Sequence, residues 1–209
     1  MAGKLKAFLI GYLHENAALC IVVPAIFLCG FIFGIISINK LNETQIKELT
    51  GYIDGYIAYL PAATFDSGLE LKHALGINLK TLFFIWFLGL TVIGAPLTLV
   101  VTFTKGFLLG FTAGFLILEK AFQGLLVVFL TVVPQNLLSV PMTILAAITS
   151  ISFSLYVVRG KFIGKKMDLP KRFLRYTLVF SVFGLLAAMA ALIQGYFTPS
   201  LVKALFYFS

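Results

Sequence analysis

The stretch that decides the fold is GFLLGFTAGFLILEKAFQGLLVVFLTVVPQNLLSVPMTILAAITSISFSLYVV, residues 106–158. It is nearly continuous apolar sequence, interrupted only by Glu119-Lys120, Gln123 and Pro134-Gln135-Asn136. A helix that crosses a bilayer needs about 20 apolar residues, so the run is long enough for more than one span. Charge on its flanks sets the number. Lys105 precedes it, and Arg159, Lys161, Lys165, Lys166, Lys171, Arg172 and Arg175 follow it. Basic residues collect on cytoplasmic flanks, so an even number of spans lies between them, and two is the number that fits.

Working outward, the predicted spans are 17–38, 81–104, 106–133, 134–158 and 173–197, with a loop over 39–80. The whole chain, 1–209, reads as a single polytopic membrane domain: an all-α integral membrane protein with about five transmembrane helices. Composition agrees, since 60% hydrophobic and 11% charged residues leave too little polar surface for a water-facing globule. The formal charge of +8 lies beside the apolar segments. That placement points to membrane orientation and anionic lipid, not to nucleic acid. The expected topology has the N-terminus cytoplasmic, loop 39–80 outside, a turn at Lys105 inside, and the basic loop 159–172 inside. The C-terminus is then outside. Lys4 and Lys6 precede the first apolar run, which exceeds a signal-peptide core of ~7–15 residues and reads as a retained span.

Loop 39–80 is the only sizeable polar part. Asn42 and Gln45 have capping-box spacing, after which Ile46, Leu49, Ile53, Ile57 and Leu60 recur on one helical face. Tyr52, Tyr56 and Tyr59 follow the same spacing beside that stripe, and Pro61 ends it. Ser67 and Glu70 predict a second short helix closed by Gly76. Two short amphipathic helices at the outer leaflet follow, either packed on the bundle or offered to a partner. The segment Ser200–Ser209 is too short to span and reads as an interfacial tail.

Three patterns lie within the predicted spans. Gly106, Gly110 and Gly114 form a GxxxGxxxG ladder, and Gly30 and Gly34 repeat the spacing in the first span. Such faces let helix backbones approach closely, within one subunit or, alternatively, in a homodimer. Glu119 and Lys120 are costly at membrane depth unless each has its own partner or the helix breaks and both reach the outer headgroups. Pro134-Gln135-Asn136, followed by Pro141, reads as the outer turn between the third and fourth spans or as a re-entrant turn. No catalytic, cofactor or metal motif is found. His14 and His73 have no metal-ligand spacing, and Cys20 and Cys29 read as small apolar residues.

Taken in order, these features resemble the stage II sporulation protein M family of bacterial membrane proteins. The matching residues are Tyr12, Glu15 and Asn16 before the first span, Gly30-x-x-x-Gly34 leading to Asn39, the ladder Gly106/Gly110/Gly114, and the stretch from Pro134 to Pro141. The resemblance implies five spans and no catalysis of its own. It also implies a scaffold in the mother-cell membrane that anchors two peptidoglycan-processing partners, stage II sporulation proteins D and P, during forespore engulfment. The expected docking residues are Ile46, Leu49, Tyr52, Ile53, Tyr56, Ile57 and Tyr59 on the outer loop. The rival expectation, drawn from the residues alone, is a transporter or permease-like subunit with a polar path around Glu119, Lys120 and Pro134.

Overall fold

A computed structural model describes residues 17–59, 67–163 and 169–207 of the chain. It contains α1 (Ala17–Ile38), α2 (Glu43–Tyr59), α3 (Ser67–Gly89), α4 (Gly94–Val127), a π-helical turn (Val128–Val132), α5 (Val133–Ile163) and α6 (Leu169–Tyr207). Among the described residues there is no strand, and five helices are long and apolar enough to cross a membrane. In lipid every backbone N–H and C=O must be satisfied within the protein, which leaves helices as the economical solution for sequence of this pattern. The chain is an all-α membrane protein.

Its tightest seam joins α1 and α4, which run parallel. A Cβ on Gly30 or Gly34 would land on the carbonyl of Phe103 or Phe107. Reciprocally, one on Gly106 or Gly110 would strike the carbonyl of Phe27 or Phe31. Gly114 continues the ridge under the side chain of Ile38. The two glycine ladders are therefore occupied by each other inside one chain, and neither presents this face to a second copy.

The remaining seams use small polar and aromatic residues. On α5, Ala146, Ala147, Ser150 and Ser154 are all fully buried. Ser150 donates to the Ile85 carbonyl at 2.9 Å, and Ser154 to the Thr91 carbonyl at 2.8 Å, tying α5 to α3 and to the turn after it. Between α3 and α6, Tyr176 donates to the Trp86 carbonyl at 2.8 Å and fills the space left beside Gly89. Phe153 stacks on Tyr176 with ring centroids 4.3 Å apart. At the N-terminal end of α1, Val23 packs with Ala147, Ile148 and Ile151.

Several predicted boundaries are corrected. The second and third spans do not meet at Lys105. They meet at residues 90–93, and Lys105 lies well inside α4. Gly89, Gly94 and Pro96 are the stop and start signals, with Pro96 in the first turn where its missing N–H costs nothing. The third and fourth spans do not meet at Pro134 but at Ala121, where φ is 44° and ψ −117° and the chain doubles back. Leu116 then packs beside Val128, and Gly124 sits against the Leu116 carbonyl. Pro134 lies in the first turn of α5, and the wider π turn before it gives its ring room. The helix predicted to close at Gly76 runs on to Gly89, so α3 takes up the second half of loop 39–80. The predicted tail is continuous with the last span as far as Tyr207.

The seam predicts unequal glycines. Gly30→Ala or Gly110→Ala should each lower the unfolding midpoint of the purified protein by an amount worth about 1–3 kcal/mol, the usual cost of overpacking. Gly76, with nothing within 4 Å of an added Cβ, should tolerate alanine without loss. Thermal unfolding in one detergent distinguishes the two groups.

Candidate functional site

Two regions bring chemistry-bearing residues together, and they lie at different depths. The first is the end of the bundle where α4 reverses. α2 starts as the sequence predicts, with the Gln45 side chain accepting from the Asn42 backbone N–H at 3.2 Å. It then lies across the hairpin tip. Thr50 donates to the Glu119 carboxylate at 3.1 Å, Asp54 forms an ion pair with Lys120, and Ile53 packs on the cluster of Ala113, Leu116, Val128 and Val132. Glu119 and Lys120, adjacent in sequence, thus find separate partners on one neighbouring helix.

Of the predicted docking residues, Ile46, Leu49 and Ile53 are half-buried, while Tyr52 is 79% exposed. The side chains of Tyr56, Ile57 and Tyr59 lie outside the described residues, as does that of Gln135. Asn136 donates to the Val132 carbonyl at 2.8 Å, an added bond on the backbone bend just before Pro134. Pro141 is inside α5 and exposed on its outer side.

The second region is a polar cluster inside the bundle, built around a lysine that the sequence reading set at a membrane edge. Lys105 is eleven residues into α4, about 16 Å along the helix and close to half of a ~30 Å hydrocarbon core. Its ammonium donates to Ser139 Oγ at 2.9 Å and to Thr143 Oγ1 at 2.7 Å. Ser139 in turn donates to Asn78 Oδ1 at 3.3 Å, and Thr143 to the Ser139 carbonyl at 2.7 Å. Helices α3, α4 and α5 each contribute a member. Ser139 and Thr143 are four residues apart and so share one face of α5.

This cluster floors a cleft of about 460 Å³. Ala74, Ile77 and Thr81 of α3 line one wall, Val100, Val101 and Leu108 of α4 the other, with Asn136 at the α5 side. The signal that could have located it was in the sequence. Thr98, Thr102 and Lys105 recur at helical spacing on α4, opposite Ser139, Thr143 and Ser150 on α5. Thr98 and Ser150 do meet, at 3.2 Å. Among the described residues, no group of His, Cys, Asp and Glu could hold a metal ion.

Two substitutions probe these regions. Ala121 holds a backbone that L-residues rarely adopt, so Ala121→Gly should raise stability by about 1–3 kcal/mol. Lys105→Met should leave the unfolding midpoint unchanged or raise it, because apolar replacement of a buried ion is commonly neutral or favourable. A clear fall would mean that the lysine itself holds α3, α4 and α5 together.

Compared with known proteins, the chain matches one family model, described as Stage II sporulation protein M, over residues 23–199. No curated protein and no solved structure matches it.

Proposed function

We propose that this chain, which belongs to the stage II sporulation protein M family, is a non-catalytic membrane scaffold that holds peptidoglycan-processing partners at the cell surface. It is a multi-pass membrane protein of a sporulation family. The partners in this reading are stage II sporulation proteins D and P, acting during forespore engulfment in the mother-cell membrane. The basic end of the bundle, with Lys171, Arg172 and Arg175 on α6, faces the cytoplasm by the positive-inside tendency. The α2 end then faces the wall, where such enzymes work.

The observation that carries the reading is how α2 is mounted. One face is fixed to the hairpin tip through Thr50, Ile53 and Asp54, while Tyr52 and Glu48 point away from the bundle. A helix anchored on one side and open on the other is a platform, and pre-ordering it lowers the entropy cost of docking. Tyrosine is also enriched among residues that dominate interfaces. The transporter alternative loses support. Glu119 and Lys120 are partnered at the tip and Pro134 is helical, so these three do not outline a path across the bundle.

Co-purification from sporulating cells tests the scaffold role. Tyr52→Arg is expected to cut recovery of proteins D and P at least about tenfold, as for loss of a central interface aromatic, without changing the unfolding midpoint. Undiminished recovery of both partners with the 43–59 segment scrambled would overturn docking through α2.

A further inference from the structure

The chain places a cation at mid-membrane, and among the described residues no acidic side chain pairs with it. Between Glu70 and Glu119, and again between Glu119 and Asp168, there is no Asp or Glu at all. The elements around Lys105 offer two hydroxyls and two amides instead: Ser139, Thr143, Asn78 and Asn136. An ammonium has three N–H donors, and Ser139 and Thr143 accept two of them. Lys80 makes a useful contrast. It lies at a similar depth on the exposed outer face of α3, whereas Lys105 is held at the floor of a cleft.

Access to that floor runs past apolar side chains. Val100 is 60% exposed, Leu108 58% and Ile77 52%, all on the outer side of the bundle at the rim of the cleft. In a membrane such surface meets acyl chains, so an occupant arrives from the bilayer and must be amphiphilic. The bulky rim also selects against a second helix. Helices that pack through large side chains stay about 8–10 Å apart, and close approach in membranes requires small residues. The two glycine ladders are already used between α1 and α4. A slender chain with an anionic head meets neither obstacle, and the cleft volume is within the usual range for small-ligand sites.

We propose that the cleft binds a long-chain carboxylic acid that enters sideways from the bilayer, with its carboxyl group on Lys105 and Asn78 and its chain along Ile77, Val100 and Leu108. A carboxyl group suits the depth. It can be drawn the ~15 Å from the interface as its neutral acid, whereas a phospholipid's phosphodiester would have to bring its charge over the same distance. Occupancy is independent of the scaffold role above, and either can fail alone.

The test uses the full-length protein in nanodiscs with a diazirine-bearing hexadecanoic acid. Irradiation should give saturable labelling of peptides covering 74–81 or 100–108. Unlabelled hexadecanoic acid should compete, while hexadecanol and added phosphatidylglycerol should not. Lys105→Met should reduce labelling roughly tenfold or more, the scale of one lost charge-assisted hydrogen bond. Val100→Trp, at the exposed rim, should reduce it similarly by closing the mouth without touching the polar cluster. The proposal is overturned by labelling that does not saturate, by equal competition from the alcohol or the phospholipid, or by labelling unchanged in both variants. A photoreactive residue at Leu108 that captures a polypeptide in cells, undisplaced by the acid, would also overturn it in favour of a partner helix.

Discussion

The approach of α1 to α4 through four glycines is the contact on which the rest of the bundle depends. Lipid gives no hydrophobic drive to bring helices together, so association rests on dispersion and on how closely backbones can approach. With Gly30 and Gly34 under Phe103 and Phe107, and Gly106 and Gly110 under Phe27 and Phe31, the pair interlocks in register. That register fixes the rotation of α4 about its axis. At about 100° per residue, Thr98, Lys105 and Leu116 then fall roughly a quarter turn from the glycine face. There they meet Ser150, Ser139 with Thr143, and Val128, on the returning limb of the hairpin. One seam of backbone contact thus positions the polar cluster and the tip that receives α2.

Much of this was legible in the sequence because it follows from local rules. Five apolar segments imply five spans, the first described helix ends at Ile38 as predicted, and the Asn42/Gln45 cap forms. Spacing also identified both glycine ladders, although not that they face each other. Failure came from one assumption, that a lysine beside an apolar run marks a membrane edge. Lys105 took that role and displaced the boundaries on either side by more than ten residues, moving the hairpin turn from Ala121 to Pro134. Turn chemistry at Gly89, Gly94 and Pro96 pointed to the true boundary, but a charge count passes over uncharged breakers. A buried lysine becomes visible only when three helices are placed around it. No single-segment pattern records Asn78, Lys105 and Ser139 as neighbours.

The polar residues inside the bundle follow two different rules. Most hydroxyls close locally: Thr102 bonds the Thr98 carbonyl, Thr149 the Leu145 carbonyl and Thr143 the Ser139 carbonyl, each four residues back. These cost the membrane nothing, since no polar atom is left facing lipid. Others cross between helices, as Ser150, Ser154 and Tyr176 do, and convert a hydroxyl into a fixed distance between two backbones. Thr98 with Thr102 and Ser150 with Ser154 therefore serve packing and leave no donor for an external group. Lys105 follows neither rule. Its bonds run to hydroxyls that pass their own protons to the Asn78 and Ser139 carbonyls, so the network starts from an ammonium with one N–H more than these two acceptors take.

That open end is what distinguishes a site from a structural network. Two hydroxyl oxygens replace part of the hydration that the ammonium had in water, enough for it to be held in place, but they carry only dipoles. A full counter-charge at the same distance is worth several times a dipole in a low-dielectric interior. Among the described residues, acids stand at the hairpin tip, where Glu119 and Asp54 are both engaged between α2 and α4, and none pairs with Lys105. Had the lysine served only packing, a methionine would fill the same volume without the desolvation cost. The arrangement therefore divides the protein by depth. The Asp54–Lys120 ion pair and the Thr50–Glu119 hydrogen bond fasten the loop helix at the hairpin tip, while Lys105, deeper in the bundle, is held by hydroxyls alone among the described residues.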